Sequence, residues 1–286
     1  RNVTLTLTDL VGEYNDKPGS CAMNADTIPV FSLDGEHWQH FPAMDWDDRR
    51  KEATLKFQGR EDSIWIAHVP PYTTRHLRQL LERLYRFADV RNEVMGKSVQ
   101  GRDLNLITVT NFERPDAPKK TVWLQARQHA WESGTSHVME GALQFITSDD
   151  PKARVLRDQI VFKFTPMMDP DGCANGKVRF NANGYDVNRH WDEVDLRRKE
   201  FLERMPEIWY VKKAILACVD SGRRIDLLVN LHNTETAEYM DTQAEDAISQ
   251  KLIGRFFDKL LAETTFAPTQ KLQVRNNPGN TTNSLY

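Results

Sequence analysis

Apolar and polar residues alternate strictly at the start of the chain, with Val3, Leu5 and Leu7 set against Thr4, Thr6 and Thr8. That period of two predicts a half-buried strand. Three more short apolar runs follow: PVFSL at 29–33, ATLKF at 53–57 and SIWIAHV at 63–69. The turn-forming stretches YNDKPGS, SLDGE and DWDD separate these segments, and no helical period occurs before residue 72. Residues 1–69 are therefore expected to form a small antiparallel β-sandwich domain, with Trp38, Phe41, Trp46, Phe57 and Trp65 as its core and rim packing.

The period changes at Pro70-Pro71-Tyr72. Thr73 or Thr74 can cap a helix that carries Leu77, Leu80, Leu81, Leu84 and Phe87 on one face. Strands and helices then alternate. LNLITVT (104–110), TVWLQAR (121–127), IVFKFTPMM (160–168) and LLVNLH (227–232) read as strands. Helices are expected over 136–147, 205–220 and 246–263, the last with Ile248, Leu252, Ile253, Phe256 and Leu260 along one stripe. Residues 169–195, rich in Asn, Asp and Gly, read as a long irregular loop. The fold class expected for 70–286 is α/β: a mixed, mostly parallel sheet with helices on both faces.

Composition narrows the function classes. The 286 residues are 40% hydrophobic and 28% charged, with a formal net charge of −3. There is no dense Lys/Arg run, so nucleic acid is not an expected partner. No apolar stretch approaches the length of a transmembrane helix, so no membrane role is expected. Three widely spaced cysteines, Cys21, Cys173 and Cys218, fit a reducing compartment better than a disulfide scaffold, and the expected location is cytoplasmic. The chain begins at Arg1, which leaves an upstream export signal open.

The chemistry lies at the ends of two apolar runs. His129-x-x-Glu132 follows TVWLQAR, and His232 ends LLVNLH. An imidazole and a carboxylate three residues apart can reach one divalent ion, and zinc favours such nitrogen and oxygen donors. In open α/β sheets, sites form beyond the carboxyl ends of the strands. Two strand ends offering these side chains would give three ligands and leave a fourth position for water. In the loop between them, Arg179, Asn188 and Arg189 are suited to carboxylate binding, and an Arg can also stabilise an oxyanion. Asp186 is available to orient a ligand or Arg189.

The segments HAWE, PMMDPDG, VRFNANGYDVNR and LVNLHNT follow one another as they do in zinc metallocarboxypeptidases of the carboxypeptidase A type. The chain resembles most the cytosolic carboxypeptidase branch and its bacterial relatives. The all-β amino-terminal segment, the VPPYTTRHL entry and the short gap between Arg179 and Asn188-Arg189 carry that finer likeness. The resemblance covers nearly all of residues 60–286. It implies one zinc ion per chain held by His129, Glu132 and His232. It also implies Arg179 as the oxyanion-stabilising residue, and Asn188 with Arg189 as the clamp on a substrate's terminal carboxylate. Peptide or protein C-terminal tails are the implied substrates, with acidic, glutamate-ending tails as one class.

One element of that pattern is absent. The family's general-base glutamate falls well downstream of the third ligand, but Glu263, the last glutamate here, belongs to the predicted helix 246–263. The stretch NNPGNTTNSLY resembles the segment shortly before that glutamate, so the base is expected beyond Tyr286. Two alternatives stay open from sequence: a zinc amidohydrolase acting on N-acyl amino acids, and a C-terminal-tail binding module without turnover.

Overall fold

The structure, a computed structural model, describes all residues except 15–16, 22, 60–61, 116–117, 234–236, 245, 276–280 and 282–286. It divides into one unit of Arg1–Pro71 with Thr234–Ala237 and a larger one of Tyr72–Asn233 with Glu238–Tyr286.

In the first unit the strands are β1 (Asn2–Leu7), β2 (Val11–Tyr14), β3 (Lys17–Cys21), β4 (Val30–Ser32), β5 (Gln39–His40), β6 (Asp45–Asp47), β7 (Glu52–Gln58) and β8 (Trp65–Ala67). Every pairing is antiparallel, giving sheets ordered β1-β7-β6 and β5-β4-β8 and the hairpin β2-β3. The alternation in β1 is realised: Val3, Leu5 and Leu7 are half-buried while their Thr neighbours face solvent. Leu5 pairs with the fully buried Leu55 of β7. Phe41 joins the two three-stranded sheets, its ring lying 4.8 Å from Phe31 of β4 and 5.4 Å from Phe57 of β7.

The second unit contains α1 (Thr74–Leu84), β9 (Val90–Lys97), β10 (Asp103–Val109), β11 (Lys120–Gln125), α2 (Ser133–Thr147), α3 (Pro151–Gln159), β12 (Ile160–Thr165), α4 (Pro170–Asn175), α5 (Lys199–Arg204), α6 (Pro206–Asp220), β13 (Leu227–Asn230), β14 (Asp241–Thr242), α7 (Ala247–Glu263) and β15 (Gln273–Val274). Its main sheet runs β13-β11-β12-β10-β9. Strands β13, β11 and β12 are mutually parallel, and β10 is antiparallel to both its neighbours. Side chains alternate across the sheet. Leu106 and Trp123 point into a core shared with Trp191, Ile208, Val211 and Ile215. Their neighbours Ile107 and Leu124 point into another, with Leu80, Leu84, Met139 and Leu143. Helices thus cover both faces, which is why β10 and β11 read as continuous apolar runs.

Three local readings are corrected. The 169–195 loop opens with helix α4: Asp169 accepts from the Gly172 N–H at 2.8 Å, Pro170 occupies the first turn, and Gly176 closes the helix at φ 64°. Strand β9 and helix α3 were not expected; α3 starts where Asp150 accepts from the Lys152 N–H at 2.7 Å. In α7 the expected stripe faces water at Ile248 and Leu252, 78% and 60% exposed, while Phe257 is buried, with Phe266 edge-on to its ring. Among the described residues no helix is long and apolar enough to cross a membrane.

Candidate metal centre

The site is built where the chain leaves β11. Ala126 N–H donates to Thr165 O and Met168 N–H returns to Ala126 O, so the exits of β11 and β12 run side by side. Arg127 then adopts a left-handed backbone, φ 57°, which turns the chain out of the strand direction. Its buried guanidinium holds the turn by donating to Tyr72 O at 2.8 Å, to Ser136 Oγ at 3.0 Å and to Ala130 O. Downstream, the Thr135 hydroxyl donates to Glu132 O at 2.7 Å. Glu132 precedes the first residue of α2, yet its carboxylate does not cap the helix.

That carboxylate instead spans two histidines. His129 Nδ1 lies 2.8 Å from Glu132 Oε1, and His232 Nδ1 lies 2.9 Å from Glu132 Oε2. The ligand-type atoms of the three residues all fall within 4.8 Å of one another. His129 and Glu132 are 2% and 4% exposed. His232 reaches them because β13 is the parallel neighbour of β11, with Asn230 opposite Gln125, so both strands end at the same edge. Burial opposes the charge on Glu132, but the His129 and His232 hydrogen bonds outweigh it and hold the carboxyl at about 2. Two imidazole nitrogens and a carboxylate, with His129 and Glu132 buried and His232 half-buried, form a donor set that would suit zinc.

The far side of His129 is also engaged. His129 Nε2 is 3.1 Å from Asp186 Oδ1, the carboxylate–histidine arrangement that fixes the tautomer of a metal-binding imidazole. Asp186 accepts as well from Arg179 Nε at 2.7 Å and from the Asn188 N–H at 2.8 Å. Burial would raise the Asp186 carboxyl, but the His129 hydrogen bond and the Arg179 charge hold it well below the usual carboxylate range. Sequence reading offered Asp186 as an orienting group for a ligand or Arg189; here it ties His129, Arg179 and Asn188 together. Its partners come from segments 50 residues apart in sequence, a relation that no local spacing encodes.

Arg179 is buried beside the triad, and Arg189, half-buried, donates from Nη1 to Asn188 O at 2.8 Å. Asn188 Oδ1 is a buried acceptor with no hydrogen-bond partner among the described residues. His190, next along, is turned aside at φ 64° and pairs with Glu193. His137 is exposed, and Glu140 is taken by the Tyr72 hydroxyl and Arg83, so neither joins the triad. Of the stretch 276–286, on which the expectation of a later base rests, only Thr281 lies within the described residues.

A family model described as zinc carboxypeptidase matches residues 77–240, which include all six candidate residues. Mouse cytosolic carboxypeptidase 6 is 36% identical over 179 residues, which is 57% of this chain and 32% of that protein. The chain spans a third or less of the length of the mouse cytosolic carboxypeptidases it matches. A metallo-carboxypeptidase from Burkholderia cenocepacia superposes with a TM-score of 0.78 at 26% identity, over 95% of this chain and 69% of that one. A metallo-carboxypeptidase from Pseudomonas aeruginosa, solved in complex with (2-guanidinoethylmercapto)succinic acid, gives 0.74 at 27% identity, over 86% and 63%. The match covers more than half of the chain and runs through both strand ends that bring His129, Glu132 and His232 together, and on that ground the chain belongs to the zinc carboxypeptidase family.

Proposed function

We propose that this protein is a zinc metallocarboxypeptidase that hydrolyses the C-terminal peptide bond of peptides or protein tails. The observation that carries the reading is the convergence of the buried His129 and Glu132 with the half-buried His232, backed by Asp186 on the outer nitrogen of His129. These three side chains would hold one zinc ion, which supplies Lewis acidity at the scissile carbonyl. Arg179, whose Nε is fixed on Asp186 and whose Nη1 lies 3.4 Å from His129 Nδ1, would place its guanidinium charge beside the ligand set, where it would stabilise the negative charge that develops on the carbonyl oxygen. Asn188 and Arg189 take the terminal carboxylate, which restricts cleavage to the chain end. The succinic acid in the Pseudomonas complex carries the same kind of group. No described residue is assigned the proton-accepting role. Acidic tails are the substrate class to try first, in line with the likeness to the cytosolic branch, and a cytoplasmic location goes with it.

The test is zinc content and residue release by the full-length protein. One zinc per chain and removal of single C-terminal residues are expected. Glu132→Gln should abolish zinc retention; full metal occupancy in that variant would refute the ligand set. Release from N-acyl amino acids but not from peptides would turn the reading to an amidohydrolase, and zinc with tail binding but no product would turn it to a binding module.

A further inference from the structure

Gln128 is completely buried, 0% exposed, yet the ligand and substrate roles above make no use of it. It precedes His129 directly, and its amide reaches the two other segments of the site. Nε2 donates to Val187 O at 3.1 Å, and Oε1 accepts from Asn230 Nδ2 at 2.9 Å. Val187 lies between Asp186 and Asn188, and Asn230 lies two residues before His232. The orientation of the amide follows from chemistry: a backbone carbonyl can only accept, so the NH2 end faces Val187, and the oxygen end is left for Asn230 to donate to. A side chain with a donor at one end and an acceptor at the other is needed here, and glutamine supplies both at this reach without a charge.

We infer that Gln128 is a positioning residue that locks the His129 loop, the Asp186–Arg189 segment and the end of β13 into the register at which the three ligands meet. It sits in none of the reacting positions and acts through its neighbours. Removing it takes the acceptor from the half-buried Asn230 amide and unties the end of β13, and with it His232, from the His129 loop. The inference rests on the zinc-site reading above, and the experiment separates the two.

Zinc affinity of the full-length protein is measured by competition with a chromophoric chelator, and ligand geometry by the visible spectrum of the cobalt(II)-substituted protein. Gln128→Met, matched in size but without donor or acceptor, should weaken zinc by about 10- to 100-fold, the range found when groups behind metal ligands are lost. It should also alter the cobalt spectrum. Asn230→Ala, which breaks only the bond on the His232 side, should weaken zinc in the same direction by less. Thr147→Val, which removes a buried hydroxyl bond within α2, is the control for plain destabilisation and should leave zinc affinity and spectrum unchanged. Zinc affinity within about threefold of the unmodified protein in both Gln128→Met and Asn230→Ala overturns the inference, since loss behind a ligand ordinarily costs more. If Gln128→Met does not fold, Asn230→Ala decides alone by the same criterion. If the unmodified protein binds no zinc, the ligand assignment falls first and this inference with it.

Discussion

Glu207 offers a stability test that reaches the site. It is the second residue of α6 and 0% exposed. Its Oε2 accepts from Asn181 Nδ2 at 2.9 Å, and Asn181 Oδ1 in turn accepts from the N–H groups of Asn183 and Tyr185 at 3.0 and 2.9 Å. Glu207 therefore anchors the turn that separates Arg179 from Asp186. Burial pushes its carboxyl from 4.5 up to about 7, against the Asn181 hydrogen bond, with Asp169 and Asp171 adding to the rise. The folded protein thus binds a proton more tightly than the unfolded chain. The stability this contributes is fully present below about 4.5 and is lost as pH rises through about 7. At about 1.4 kcal/mol per pKa unit, the whole effect is on the order of 3 kcal/mol. Glu207→Gln keeps the acceptor for Asn181 and removes the ionisation. The variant should gain about 2–3 kcal/mol more, relative to the parent, at pH 8 than at pH 5. Urea denaturation of both proteins at the two pH values, with zinc saturating, measures this. Equal differences at pH 5 and pH 8 would show that the Glu207 carboxylate ionises in the folded protein at no cost, and the reasoning would fail.

Arg189→Ala should raise KM with little change in kcat, and Arg179→Ala should lower kcat; steady-state kinetics on a peptide tail would expose reversed roles by the opposite partition. Asp186→Asn should weaken zinc by about 10- to 100-fold in chelator competition. It should also cost about 3 kcal/mol in denaturant unfolding, because the Arg179 side chain, 10% exposed, loses its buried counter-charge. Gly96→Ala should lower stability by about 1–3 kcal/mol in thermal unfolding, since a Cβ there would fall 2.2 Å from Tyr210 Cζ. A melting temperature equal to that of the parent would mean that the ring is free to move.

Where the pattern of apolar positions decides the outcome, the chain is readable. Leu77, Leu80 and Leu84 of α1 form the expected buried stripe, and β10 and β11 are apolar on both faces because both are covered. The meeting of His129, Glu132 and His232 is readable too, because β11 and β13 are parallel neighbours whose ends lie at one edge. The losses occur where tertiary contacts decide. Strand β9 is a charged edge strand with little alternation, so its pairing with β10 leaves no local trace. The α4 stretch, DPDGCANG, is made of turn-forming residues, but they happen to supply both caps of a short helix. Which side of α7 is buried depends on Phe266, beyond the helix itself. The hold of Gln128 on Val187 and Asn230 joins residues 59 and 102 positions apart, beyond any motif.

The twisted backbone at Arg127 has a consequence for anyone redesigning this scaffold. A left-handed torsion at a side chain other than glycine costs on the order of 1–2 kcal/mol. A routine stabilisation survey would therefore nominate glycine there. The substitution would relax one peptide and cut loose three oxygens, those of Tyr72, Ala130 and Ser136, that hold the turn into the metal loop. The three bonds of that one side chain offset its unfavourable torsion and fix the loop, and a search that ranks positions by local torsion alone would discard the bonds together with the strain.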